Sequence, residues 1–136
     1  MVTKNVRNKV GRGHRIDIQP SSEHVEVFID GVKVADSTNA TVLLETGAPP
    51  RYYLPRSDVR FDLFEPSSTH TMCPYKGEAS YFSVEVNGNL YEDIVWTYPS
   101  PITASEEIAE LVSFYNEKVD LRVDGQPQAG PKVKVS

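Results

Sequence analysis

The single cysteine of the chain, Cys73, lies in residues 69–77 (THTMCPYKG), the stretch with the most unusual local chemistry. Pro74 fixes its own backbone φ and Gly77 permits a tight turn, so the sequence predicts a turn that brings Cys73 near Lys76. A neighbouring ammonium favours a nucleophilic thiolate, which makes Cys73 a candidate catalytic residue. The alternative is a structural cysteine, because free cysteines are often buried as small hydrophobic residues.

Other polar side chains are candidates for the same chemistry. Arg56 offers a planar fork that fits a carboxylate or phosphate and could clamp an anion, or it could form an ion pair with Asp58 that pins the local turn. Glu45 precedes a Gly-Pro-rich loop and is either a buried acid with a catalytic role or a surface residue. His70 lies three residues before Cys73, a spacing that permits a Cys–His pair without ensuring contact.

Aromatic side chains with polar edges are numerous for a chain of 136 residues. Core packing is the ordinary explanation for such residues. The wall of a ligand pocket is the alternative, since pockets are lined predominantly by apolar and aromatic groups with a few polar ones. The residues concerned are Tyr52, Tyr53, Tyr75, Tyr81, Trp96 and Tyr98.

Composition narrows the classes of function. Apolar residues make up 39% and charged residues 24%, as in ordinary globular domains. The net charge of −5 argues against nonspecific nucleic-acid binding, which needs a basic surface. Five cations and no carboxylate occur in residues 1–15, and without interleaved aromatics they indicate a solvated arm. No stretch approaches 18 apolar residues, so no membrane span is expected.

One cysteine excludes a disulfide within the chain and favours a reducing, cytoplasmic location. There is no apolar signal-peptide region at the N-terminus. The sequence lacks a CxxC pair, a phosphate-binding GxxxxGK[ST] or GxGxxG loop, a GxSxG elbow and an HExxH motif. We therefore expect neither a metal nor a cofactor.

Alternating apolar residues and turn signals predict a mainly β domain that must position these groups. Residues 25–29 and 32–34 flank Asp30-Gly31 and predict a hairpin with a type I′ turn, in which Ile29 faces Val32 and Val27 faces Val34. Residues 78–86 and 89–98 flank Asn87-Gly88 and predict a second hairpin. Its simplest register puts Tyr81 opposite Ile94 and Val84 opposite Tyr91, so both faces of this hairpin are partly apolar.

Further elements are predicted around these hairpins. Residues 41–45 form a short strand or turn, and residues 52–54, 58–64 and 119–123 are expected as strands. Thr103 and Glu106 resemble a capping box, and an apolar stripe follows at Ile108, Leu111, Val112 and Tyr115, which predicts one helix packed on the sheet. Residues 14–124 are expected to form one domain, with a flexible basic arm at 1–13 and a flexible tail at 125–136.

Seven blocks of the sequence, in order and spread over about 110 of the 136 residues, resemble the family known as domain of unknown function 427 (DUF427), sometimes labelled nucleotidyltransferase-like. The blocks are residues 14–17 (HRID), 35–37 (ADS), 44–47 (LETG), 52–59 (YYLPRSDV), 71–81 (TMCPYKGEASY), 96–99 (WTYP) and 114–120 (FYNEKVD). The resemblance implies a single-domain β-tent of strongly bent antiparallel sheets. The carboxylates of Asp58, Asp62, Glu92 and Asp93 form no recognisable magnesium site for nucleotidyl transfer.

The first functional hypothesis is a small-molecule site, with or without catalysis, on the concave face of the tent. Arg56 and Lys76 would bind an anionic group there, and Cys73 or Glu45 would perform any reaction. The binding residues are taken from the family-like blocks: Tyr53, Arg56, Asp58, Thr71, Lys76, Tyr81, Trp96 and Tyr98. The alternative is a non-enzymatic protein-interaction module in which the aromatic blocks are core. Open sheet edges could also pair between chains, which makes a homodimer conceivable.

Overall fold

The computed structural model of the chain describes residues 13–128, which form β-strands joined by turns and short 3₁₀ helices. The strands are β1 (Ile16–Pro20), β2 (Val25–Ile29), β3 (Val32–Ser37), β4 (Thr41–Glu45), β5 (Arg51–Leu54), β6 (Phe64–Cys73), β7 (Gly77–Val86), β8 (Asn89–Thr97), β9 (Val112–Phe114), β10 (Asp120–Val123) and β11 (Gln126–Pro127). The 3₁₀ helices are Arg56–Asp58, Phe61–Leu63 and Thr103–Ile108.

Two antiparallel sheets contain these strands. The larger sheet has seven strands in the order β1-β4-β5-β9-β8-β7-β6, and the smaller has four in the order β11-β10-β2-β3. The fold is therefore mainly β and single-domain, as the sequence predicted. Between residues 13 and 128 no helix has the length and apolar character needed to cross a membrane.

Both predicted hairpins are present, and bulges modify their registers. Asp30 and Gly31 have φ of 54° and 79°, as a type I′ turn requires, and Ile29 faces Val32. A bulge between Val27 and Phe28 then pairs Val27 with Ala35, which corrects the predicted pairing with Val34. An extra residue on one strand shifts every later pair, and the sequence carries no clear signal for it.

The second hairpin behaves in the same way. Val84 faces Tyr91 as predicted, but an irregularity between Phe82 and Val84 pairs Tyr81 with Trp96 and not with Ile94. This shift has a consequence for the site described below, because direct partners in an antiparallel pair have their side chains on the same face.

Each face of the seven-stranded sheet carries its own buried cluster. The face that packs against the four-stranded sheet, called here the inner face, is aliphatic and phenylalanine-rich, with Leu54, Val84, Val95 and Phe114 at 0% exposure. The opposite side, called here the tyrosine face, contains Ile16, Ile18, Leu43, Tyr53, Ala79, Trp96, Tyr98 and Ile108. Alternation separates the two sets on β5, where Tyr53 lies between Tyr52 and Leu54 of the inner-face cluster, and on β8 the change of cluster falls between Val95 and Trp96.

The predicted helix is wrong. Residues Thr103–Ile108 form a 3₁₀ helix with no side-chain cap, and Ser105 within it is non-helical. Glu110 then takes a φ of 65° and the chain continues as β9, which fills the gap between β5 and β8. All three residues of β9 are buried because both faces of the sheet are covered there. A short apolar run of this kind has no period that separates helix from strand.

The strand predicted over residues 58–64 is also wrong. Val59 makes a single antiparallel bridge to Ala35, and Phe61–Leu63 is a 3₁₀ helix whose Phe61 and Leu63 pack against the inner-face cluster. At the C-terminal end, β11 pairs with β10 beyond the predicted boundary at residue 124. The predicted flexible arm and tail, apart from Gly13 and residues 125–128, lie outside the described residues.

Candidate functional site

A row of four side chains crosses the tyrosine face at one level of the sheet. Ser113 of β9 is paired with Tyr53 of β5 on one side and with Trp96 of β8 on the other, and Trp96 is paired with Tyr81 of β7. Directly paired residues present their side chains to the same face. Strand pairing alone therefore gathers residues that are separated by up to 60 positions in the chain.

Hydrogen bonds fix the orientation of this row. The Trp96 indole N–H donates to the Tyr53 hydroxyl at 3.0 Å, and the two rings meet edge to face with centroids 6.2 Å apart. The Tyr81 hydroxyl lies 2.9 Å from the Thr71 hydroxyl of β6. The buried indole is thus satisfied, and the row is tied to the edge strand of the sheet.

A pocket of about 190 Å³ opens over the row. It is slightly larger than the cavity of about 150 Å³ that holds one benzene molecule in an engineered protein core. The pocket therefore has room for a ligand of about one ring with a small substituent. Its lining consists of Glu45, Ala48, Arg51, Tyr53, Lys76, Tyr81, Trp96, Tyr98 and Tyr115.

A buried ion pair forms one wall of the pocket. Lys76 Nζ lies 2.8 Å from Glu45 Oε1, and the two side chains are only 10% and 17% exposed. The other carboxylate oxygen of Glu45 lies 3.0 Å from His14 Nε2, and the His14 ring stacks on Tyr75 with centroids 4.5 Å apart. Glu45 is therefore held from two sides, and its position at the end of β4 depends on a residue that precedes β1.

A second ion pair lies at another side of the pocket. Arg51 makes a two-pronged contact with Glu117, with N···O distances of 2.8 and 3.0 Å. The Arg51 guanidinium also lies 5.3 Å from the Trp96 ring centroid and 5.5 Å from that of Tyr115, within the range of cation–π attraction. These contacts fix the arginine and cover the outer part of the tryptophan ring.

The turn after β6 places Lys76 in the wall. The Lys76 N–H donates to the Cys73 carbonyl at 3.2 Å, and the Lys76 carbonyl accepts from the Ile102 N–H at 3.0 Å. Gly77 has a φ of 115°, and a Cβ there would lie 3.3 Å from the backbone of Pro101. A glycine is therefore needed both for the backbone conformation and for the close approach of residues 101–102.

Burial keeps the tyrosines of the pocket protonated. Desolvation raises the pKa of Tyr53 and of Tyr98 far above the usual tyrosine range, and for Tyr98 neighbouring ionisable groups add to the effect. Desolvation first, and then the hydrogen bond with Tyr81, raise the pKa of Tyr115 to about 12. All three phenols are hence neutral at physiological pH and can donate hydrogen bonds.

Comparison with known families agrees with the sequence blocks. The sequence model of a family described as a domain of unknown function (DUF427) matches residues 17–125 of the chain. The chain belongs to the DUF427 family. No curated protein matches the sequence. The description of the DUF427 family names no activity.

Six of the site residues predicted from the sequence line this one pocket in the DUF427 domain, and a seventh is hydrogen-bonded to one of the lining residues. The six are Glu45, Tyr53, Lys76, Tyr81, Trp96 and Tyr98, and Thr71 is held to the pocket through the Tyr81 hydroxyl. They come from four of the family-like blocks. Their proximity is a property of the fold, and their role in binding stays a prediction.

Cys73 lies next to the pocket but not in its lining. It is half-buried and packs against the cluster of the tyrosine face. The predicted turn is present, although the Lys76 ammonium contacts Glu45. His70 is three residues away on a regular stretch of β6 and so faces the other side, where its Nδ1 lies 3.4 Å from the Ser80 hydroxyl. A catalytic role for Cys73 stays a prediction.

Arg56 and Asp58 do not line this pocket, and their role in binding stays a prediction. The Arg56 Nε–H donates to the Glu110 carbonyl at 2.8 Å, and the guanidinium lies 5.3 Å from the Phe61 ring centroid. Asp58 accepts a hydrogen bond of 2.6 Å from Ser37. Each residue thus stabilises a turn, and their expected mutual ion pair is replaced by these separate contacts.

Sequence reasoning missed several residues of the pocket. Arg51 and Tyr115 line it, and His14 supports Glu45 from outside. Their partners are distant in the chain: Arg51 and Glu117 differ by 66 in residue number, and His14 and Glu45 by 31. Arg51 occupies the position before the Tyr52-Tyr53 pair, so alternation with Tyr53 on β5 was the signal that could have found it.

One further cluster of polar groups lies on the four-stranded sheet. His24, Glu26 and Asp36 could supply ligand atoms within 4.8 Å of one another. The Lys33 ammonium, however, lies 3.0 Å from Glu26 and 2.8 Å from Asp36, and it lowers the pKa of Asp36. An internal cation thus already pairs with both carboxylates of this cluster.

Proposed function

We propose that this DUF427 domain binds a small anionic molecule in the tyrosine-lined pocket. The observation that carries the proposal is the Lys76–Glu45 pair, which is 2.8 Å long and largely buried within a wall of polar-edged aromatic rings. Burying an ion pair costs desolvation free energy, and apolar residues of similar size would often give equal stability. A charged pair beside a ring-sized pocket is more readily explained by ligand recognition.

Two cations and one carboxylate line the pocket, and the free N–H groups of one cation favour an anion. The cations are Lys76 and Arg51, and the carboxylate is Glu45. Arg51 is further engaged by Glu117, whereas Lys76 has two N–H groups besides the one that binds Glu45. The Lys76 side of the pocket is therefore the better place for a negatively charged group.

The proposal is tested by blocking the pocket from its rim. Ala48 is exposed in the loop after β4, so Ala48→Trp would fill the pocket without disturbing either ion pair. Ligand-observed NMR with the anions benzoate and phenyl phosphate should show binding to the wild type and its loss in Ala48→Trp, and benzylamine, a cation of similar size, should not bind to either protein. Leu90→Trp is the matched control, because Leu90 is 47% exposed and lies outside the lining. Equal binding to all three proteins would rule out this pocket as the site.

A further inference from the structure

Two tyrosine hydroxyls in the pocket have hydrogen-bonding capacity to spare. The Tyr53 oxygen accepts from the Trp96 N–H, so its own O–H remains to be donated. Tyr98 is only 6% exposed, and its hydroxyl makes no hydrogen bond to any residue between 13 and 128. Both phenols are neutral donors at physiological pH, as tyrosines ordinarily are, and burial raises their pKa further.

Acceptors in the same pocket are largely occupied. Both oxygens of Glu45 have partners, Lys76 on one and His14 on the other. The Tyr81 hydroxyl is engaged by Thr71 and by Tyr115. The free capacity of the pocket is therefore mainly donor capacity, from Tyr53, Tyr98 and Lys76, and a ligand group that uses all of it must offer oxygen lone pairs.

Charge and size define that group more closely. Each cation of the lining already has a carboxylate partner, Glu45 for Lys76 and Glu117 for Arg51, so the pocket has no excess of positive charge that would favour a dianion over a monoanion. A volume of about 190 Å³ holds a ring and a small substituent. Resting on the proposed function, we infer that the ligand class is a single-ring monocarboxylate whose carboxylate accepts hydrogen bonds from Tyr98, Tyr53 and Lys76.

Calorimetric titration with matched probes tests this inference. Benzoate carries the carboxylate, benzamide is a neutral isostere with N–H groups, benzylamine reverses the charge, and phenyl phosphate adds a second negative charge. Benzoate should bind at least about tenfold more tightly than benzamide, because hydrogen bonds to charged groups are the stronger ones. Phenyl phosphate should bind more weakly than benzoate, and benzylamine should not bind.

Removal of one hydroxyl locates the carboxylate. Tyr98→Phe keeps the ring and leaves no buried partner unpaired, and it should weaken benzoate binding by about tenfold or more. Tyr91→Phe is the matched control, because Tyr91 packs against the inner-face cluster, and it should leave the affinity unchanged. Thermal unfolding of both variants verifies that they are folded.

The outcomes separate this inference from the proposed function. If the probes bind and Ala48→Trp abolishes binding, but benzylamine or phenyl phosphate binds more tightly than benzoate, the pocket is the site and the carboxylate assignment is wrong. The same conclusion follows if Tyr98→Phe has no effect on benzoate. If Ala48→Trp leaves the binding of every probe intact, both the site and the ligand class are wrong.

Discussion

The inner face and the tyrosine face of the seven-stranded sheet are built from the same strands with different residues. On β5, Leu54 packs into the inner-face cluster while the adjacent Tyr53 faces the pocket. On β8, Val95 and Trp96 divide in the same way. The inner face is closed by a second sheet, whereas the tyrosine face is covered by loops, the 3₁₀ helix Thr103–Ile108 and a buried ion pair.

This difference teaches where stability and recognition reside. The inner face excludes water mainly through aliphatic and phenylalanine side chains, and its buried Tyr52 directs the hydroxyl to Glu23. The tyrosine face is nearly as buried, yet beside its aliphatic residues it has side chains that end in hydroxyl, indole and charged groups around the pocket. We therefore expect substitutions on the inner face to change the free energy of unfolding without changing ligand affinity, and substitutions in the pocket to change both.

The largest expected effect is on the inner face. Phe114 is 0% exposed and contacts the Phe64 ring edge to face at 6.0 Å. Phe114→Ala should lower the free energy of unfolding by about 3–5 kcal/mol, because it removes a buried ring and leaves a cavity. Urea unfolding measures this loss. Benzoate affinity of the folded variant should stay within about twofold of wild type, and a large loss of affinity would mean that the faces are coupled.

An intermediate effect is expected at the ion pair of the pocket. Lys76→Met should lower the free energy of unfolding by about 2 kcal/mol, since it leaves the Glu45 carboxylate partly buried with His14 as its remaining partner. Full burial would give more, but Glu45 is 17% exposed. The double variant Glu45→Leu/Lys76→Met should recover most of that loss, because no unpaired charge remains.

A surface pair provides the control for this experiment. Arg60 and Asp62 are 2.7 Å apart, and both side chains are more than half exposed. Arg60→Met should give no measurable change in stability, because solvent screens such pairs. If Lys76→Met also leaves the stability unchanged, the Lys76–Glu45 pair is screened by solvent like a surface pair, and it does not support a recognition site.

Local signals explain the parts of the fold that the sequence predicted. Asp30-Gly31 and Asn87-Gly88 have positive φ in the structure. A two-residue hairpin turn requires this conformation at two adjacent positions, so the residue types there are enough to predict it. The predicted registers are wrong where bulges intervene, because a bulge depends on how the whole strand packs. The prediction of a helix is wrong because β9 is a short strand buried on both faces, a pattern that sequence periodicity does not distinguish from a helix.

The site was predictable in its residue types and not in its geometry. Polar-edged aromatics and Lys76 stood out in the sequence, and most of them do line one pocket. Arg56 has the same chemical character but lies with Glu110 and Phe61, because β5 ends at Leu54 and the chain turns away there. The site therefore depends on strand pairing over long sequence separations, which residue type alone does not encode.

The smallest expected effect concerns Ser113, which lies on the tyrosine face between Tyr53 and Trp96. Its side chain is 0% exposed, and its hydroxyl has no hydrogen-bond partner among residues 13–128. A desolvated hydroxyl without a partner is unfavourable, so Ser113→Ala should raise the free energy of unfolding by about 1 kcal/mol. Urea unfolding measures this gain, and the slope of the free energy of unfolding against urea concentration should stay unchanged.

A second buried serine supplies the opposite case. The Ser83 hydroxyl accepts from the Asp93 N–H at 3.0 Å in the bulge of β7 and β8, and Ser83 is 7% exposed. Ser83→Ala should lower the free energy of unfolding by about 1 kcal/mol, because the part-buried Asp93 N–H loses its partner. Stability changes of opposite sign in the two variants would show that the presence of a hydrogen-bond partner decides the effect of a buried serine hydroxyl. A loss of stability in Ser113→Ala would instead mean that the Ser113 hydroxyl supports the pocket.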